Sequence, residues 1–169
     1  MIDGHPDLFK PLPTEPPAVK PWRPRPLENH EWADRDYIGL YKWRIDTLEK
    51  LRADPVMLAD AKAYYAKHPK EFICHFLDTY NPRLKRSKWV PFVLFRRQAD
   101  FIDFLEELRR DNESGLVEKC RDVGASWLGC AYSVWTFSFI KDDATGWGSR
   151  KEDLVDKRGD PDSLFEKMR

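Results

Sequence analysis

Eight consecutive residues, Lys119, Cys120, Arg121, Asp122, Val123, Gly124, Ala125 and Ser126, hold the residue types that grip a phosphate group. An ammonium opens the stretch, a glycine sits near its end and a hydroxyl closes it. The apolar Gly115-Leu116-Val117 leads in and the apolar run Trp127 to Ile140 leads out. A short strand, a tight loop and a buried helix would read this way. In such a context backbone N–H groups and a helix N-terminus face an anion, one cation approaches the terminal phosphates, and one hydroxyl reaches Mg²⁺. Against the common pattern G-x-x-x-x-G-K-[ST], Gly124 and Ser126 match. Lys119 stands where the first glycine belongs and Ala125 where the lysine belongs, so the lysine has moved to the front of the loop. Its long stem lets it reach the phosphates from that end. The plainer reading of the same residues is a strand-to-helix turn with Ser126 as an ordinary N-cap.

Gln98 is the second chemical candidate. Its amide offers one donor and one acceptor side by side, which matches the N6 and N7 edge of adenine. A solvent-exposed glutamine is the ordinary alternative. Arg83, Lys85, Arg86 and Lys88 make a basic stretch beside aromatics that suits either a phosphate backbone or plain solvation.

Elements to position these residues follow from periodicity and punctuation. Residues 1–30 contain eight prolines, which predicts an extended arm in which Trp22 alone wants burial. A helical region over 31–90 follows. Its helices are expected at 31–53 with Asp34 as cap, from Val56 to Lys67 behind Pro55, and from Pro69 to Thr79 with His75 on its flank as a surface or partner-packing histidine. Tyr80 to Arg83 reads as a turn. A helix from Arg97 to Arg110 carries Phe101, Ile102, Phe104, Leu105 and Leu108 on one face, with Gln98 in its first turn. Leu116-Val117 is the expected buried central strand, Trp127 to Ile140 a core helix, Ala144 to Ser149 a further short strand, and Leu164 to Arg169 a last helix capped near Asp162-Ser163.

Lys+Arg and Asp+Glu both number 29, so net charge announces no nucleic-acid partner. Three cysteines without C-x-x-C spacing argue against zinc and for reduced thiols in a cytoplasmic compartment. The longest apolar run is too short to span a bilayer.

Taken together, the Pro91-Phe92-Val93-Leu94-Phe95-x-x-Gln98 helix start, the loop with its lysine in front, Gly148-Ser149-Arg150-Lys151-Glu152-Asp153-Leu154-Val155-Asp156 and Gly159-Asp160-Pro161-Asp162-Ser163-Leu164-Phe165 resemble the N-terminal part of the large subunit of tailed-phage terminases. These are ATP-driven motors that package DNA into proheads, and the resemblance covers roughly residues 70–169. It implies an α/β fold in which the helical region leads into the first part of a parallel ATPase sheet, starting at residue 91 and incomplete at 169. It implies ATP and Mg²⁺ as cofactors. Gln98 would contact adenine; Lys119, Cys120, Arg121, Asp122, Val123, Gly124, Ala125 and Ser126 would wrap the triphosphate, with the Ser126 hydroxyl on Mg²⁺. Double-stranded viral DNA, a portal protein and a small terminase subunit would be partners of a full-length ring in the bacterial host cytoplasm. The family's acidic strand end and nuclease carboxylates have no counterpart here. The expectation is therefore an N-terminal fragment without catalytic residues, inactive alone and with open sheet edges. A small helical interaction protein without nucleotide binding is the competing reading.

Overall fold

The computed structural model describes residues 21–24, 36–85 and 87–169. Chain punctuation sets most of the helices. α1 spans Tyr37–Ala53, and the Asp36 carboxylate accepts from the Gly39 N–H at 2.8 Å. That cap lies two residues beyond Asp34, which falls outside the described residues. Asp54 ends α1 and begins α2, Pro55–Tyr65, by accepting from the Val56 and Met57 N–H groups at 2.9 and 3.1 Å. Proline occupies the first position of α2 and of α3, Pro69–Phe76, where its missing N–H costs nothing. Two three-residue strands follow, β1 (Asp78–Tyr80) and β2 (Trp89–Pro91), paired antiparallel with Thr79 opposite Val90. The turn and basic stretch read from the sequence lie between them. α4 covers Arg96–Asp111 and ends on Asn112 in the left-handed region at φ 55°. α5 covers Ala125–Phe139, and α6 covers Leu164–Met168 behind a Ser163 cap.

The core is built where α3, the chain after β2, α4 and α5 meet. Ile73, Cys74, Phe92, Leu94, Ile102, Leu128 and Ala131 form it. Trp135 is buried on α5 and its indole N–H donates to the Tyr65 carbonyl at 2.8 Å, which ties α5 to the end of α2. Arg44 of α1 donates to the His75 and Leu77 carbonyls and to the Asp78 carboxylate, closing the otherwise open C-terminal end of α3. Trp22 from the proline-rich arm packs its ring against Tyr64 and Tyr65, and Arg23 stacks over Tyr64.

This architecture overturns the expected α/β fold with a parallel ATPase sheet. The described residues form six α-helices and one two-stranded antiparallel sheet. Leu116 and Val117 are not a buried central strand: Leu116 is 95% exposed and Val117 43%. A strand needs neighbours to pair its backbone, and a parallel one needs them on both sides. The only strands among the described residues pair with each other, so the apolar run stays unpaired. The chain instead runs over α4, with Gly115 so close that an added Cβ would lie 2.3 Å from Leu108 and 2.8 Å from Phe104. Ala144 to Ser149 forms no strand either. Trp147 from that stretch lies against Gly129 of α5 and donates to the Ser133 hydroxyl at 3.2 Å. His75 is not at the surface but buried, hydrogen-bonded to the Tyr65 hydroxyl at 3.0 Å and packed on Trp43.

Candidate functional site

α5 begins without a side-chain cap. Its N-cap is Gly124, in the left-handed region at φ 78°, and two residues earlier Asp122 is left-handed too, at φ 64°. These two residues curl the chain tightly before the helix. The first N–H groups of a helix have no intrahelical acceptor, and a glycine cap offers no oxygen to satisfy them. The positive end of a fifteen-residue helix is therefore left open.

It opens into a cleft of about 1190 Å³, larger than the roughly 300–1,000 Å³ usual for small-molecule sites. Residues from five places in the chain face this space: the start of α1, the β1–β2 hairpin, the first turn of α4, the loop and first turn of α5, and α6 with the turn before it. Of the sequence candidates, Gln98, Lys119, Asp122, Val123, Gly124, Ala125 and Ser126 all line it. Cys120 and Arg121 are exposed on the same loop but are not among the lining residues.

Gln98 holds the loop in place. Its Oε1 accepts the Phe95 N–H at 3.0 Å, which satisfies an orphan donor at the start of α4. Its Nε2 donates to the Val123 carbonyl at 3.1 Å. The amide that the sequence offers as an adenine reader thus already spans from α4 to the loop twenty-five residues later. One amide hydrogen and one oxygen lone pair remain for a ligand.

The Tyr80 and Trp127 rings line one wall, and Trp89 touches both. Tyr80 meets Trp89 edge-on at 5.5 Å, and Trp89 meets Trp127 at 5.8 Å. Lys88 sits over Tyr80 and Lys167 over Trp127. Four cations face the cleft: Arg83, Arg97, Lys119 and Lys167. Arg83 is within 3.7 Å of Asp122, and Arg97 within 3.4 Å of Asp100. Lys119 and Lys167 form no ion pair among the described residues.

These groups fit a Mg²⁺-bound polyphosphate in kind. Mg²⁺ takes oxygen ligands and keeps several waters, so one hydroxyl beside phosphate oxygens is a sufficient protein contribution. The Ser126 hydroxyl is exposed at the start of α5, where it can serve. No group of three His, Cys, Asp or Glu side chains among the described residues is placed to hold a metal by itself.

Sequence reasoning missed the hairpin wall and Lys167. The first rests on pairing between short segments that carry no local signature. The second belongs to no motif and arrives only because α6 folds back on α5. No helix among the described residues is long and apolar enough to cross a membrane. Comparisons with protein-family models, with curated proteins and with solved structures returned no match.

Proposed function

We propose that the cleft at the N-terminus of α5 binds the triphosphate of ATP with Mg²⁺, and that the chain is the nucleotide-binding N-terminal part of a terminase-like DNA-packaging motor. The carrying observation is convergence. Gln98 and the loop from Lys119 to Ser126 lie twenty-one residues or more apart in sequence, yet they line one cleft and are joined by a hydrogen bond. Lys119 supplies the cation, the open end of α5 supplies N–H donors, Ser126 supplies the hydroxyl for Mg²⁺, and the free valences of Gln98 face the base. The motor assignment, and with it double-stranded DNA, a portal protein and a small terminase subunit as partners, rests on the sequence resemblance alone. ATP supplies phosphoryl-transfer chemistry when bound, and the residues described here bind and orient it.

Calorimetric titration of Mg·ATP tests the binding, with Ser126→Ala and Lys119→Ala beside the parent. Both variants weaken binding if the loop holds the triphosphate. A folded parent chain that binds no Mg·ATP refutes the reading. The second reading, a helical interaction protein, draws on one observation: Leu116 and Phe137 are 95% and 82% exposed on a mainly helical surface. It predicts a folded chain indifferent to Mg·ATP.

A further inference from the structure

The ammonium of Lys167 is poorly served by its surroundings. It lies over the Trp127 ring with its nitrogen 5.5 Å from the centroid, and it donates to the Ser163 carbonyl of its own helix at 3.3 Å. Neither contact is an opposite charge. Glu166, the adjacent residue, pairs with Arg169 at 2.9 Å, and Asp160 pairs with Lys157 at 3.2 Å and accepts the Asp162 N–H at 3.0 Å. Neither Asp160 nor Asp162 comes within ion-pair distance of Lys167. Burial pushes the Lys167 amine below the usual lysine range, and the Cys130 thiol and the Asp162 and Asp160 carboxylates offset only part of that. A half-buried cation without a counter-charge is costly unless an anion completes it.

The placement of that cation is fixed from several sides. Ser163 is fully buried, and its hydroxyl donates to the Lys157 carbonyl at 3.1 Å while accepting the Glu166 N–H. The Phe165 N–H donates to the Val155 carbonyl at 2.9 Å. The Cys130 thiol of α5 contacts the Leu164 carbonyl at 3.6 Å. α6 is thus pinned along α5, with Lys167 beside the first turn of α5 at the cleft wall.

We propose that Lys167 is a second polyphosphate-binding cation, contributed to the cleft by α6 and complementing Lys119 from the loop. This rests on the nucleotide reading of the cleft and adds to it a residue outside the loop motif. Of the four cations lining the cleft, these two lack a carboxylate partner among the described residues. Both are lysines, compact point charges suited to phosphate oxygens in any orientation. The Trp127 ring holds the ammonium without neutralising it.

The test is Mg·ATP affinity of the full chain carrying Lys167→Arg, Lys167→Gln or Lys167→Glu, with Lys119→Ala alongside and thermal unfolding curves for each. The expected order follows charge, not size. Arg stays close to the parent, Gln weakens binding about tenfold, and Glu weakens it further. If Gln and Glu bind like the parent while Lys119→Ala does not, Lys167 does not touch the phosphates and the inference falls while the nucleotide reading stands. If Arg falls as far as Gln and Glu, the residue acts through the fold and the inference falls equally. A folded parent that binds no Mg·ATP removes both.

Discussion

Gly124→Ala probes the geometry on which the site depends. Two costs add. At φ 78° an alanine sits in the left-handed region, which costs about 1–2 kcal/mol. Its Cβ would also lie 3.3 Å from the Gln98 Nε2, tighter than an ordinary contact. The Gln98 amide has little room to yield, because the Phe95 N–H and the Val123 carbonyl hold it at 3.0 and 3.1 Å. Moving it gives up most of one hydrogen bond, about 1 kcal/mol. The expected destabilisation is about 2–3 kcal/mol by urea unfolding. Gly159→Ala is the matched control: its φ is 79° but nothing lies within 4 Å of the added Cβ, so only the backbone cost of about 1–2 kcal/mol applies. The difference between the two variants reads the Gln98 contact. In a Gln98→Ala background that difference should vanish, a coupling of about 1 kcal/mol. Equal losses at the two glycines, or a difference that survives removal of Gln98, would refute the latch between α4 and the loop.

Burial works to raise the Glu106 carboxyl, but hydrogen bonds from Arg109 and Tyr132 outweigh it and hold the group below its ordinary 4.5. A lowered folded value stabilises the charged form. The stability advantage of the parent over Glu106→Gln is therefore complete at neutral pH and fades as pH falls below 4.5 through the folded value, which paired urea titrations at pH 7 and pH 3 would show. Cys120 is exposed, whereas Cys74 and Cys130 are buried and burial pushes the Cys130 thiol up to about 11. A thiol reagent should label one cysteine quickly in the native chain and all three only after denaturation; fast native labelling of Cys130 would contradict the packing of α6 on α5. Trp135→Phe removes the bond to the Tyr65 carbonyl and leaves a gap at a fully buried site, for a loss of about 2 kcal/mol in urea unfolding.

Helices were legible where the sequence marks their ends. Asp54-Pro55, His68-Pro69 and Ser163 each announce a start, and the apolar face of Arg97 to Arg110 announces a body. Trp127 to Ile140 was readable as core because its length excludes a strand. Strands were not legible in the same way. Leu116-Val117 has the composition of a strand, but a strand is a relation between two segments and no partner exists for it among the described residues. Thr79 and Val90 do have such a relation, and it lies eleven residues apart across a basic loop that hides it. His75 reads from the sequence as a surface or partner-packing residue, whereas a buried tyrosine hydroxyl of the same chain meets its nitrogen. The loop itself was visible as a motif. Nothing local to either segment shows that Gln98 bonds to the loop, and Lys167 was not visible at all, since nothing local tells that α6 returns to α5.

The connection from Asn112 to Val123 is exposed at every position, and no backbone group from 114 to 119 pairs with another backbone group among the described residues. Such a stretch is where a protease enters, and Lys119 and Arg121 are trypsin sites. A cut there would not scatter the molecule. Ile102 on one side and Leu128 and Ala131 on the other belong to the same core, and Trp135 is bonded to Tyr65 across the break. The two pieces should elute together and separate only in denaturant, so the chain is divisible at its own candidate binding loop. Protection of that one cleavage by a bound polyanion would then report occupancy directly, with an ordinary gel as the readout.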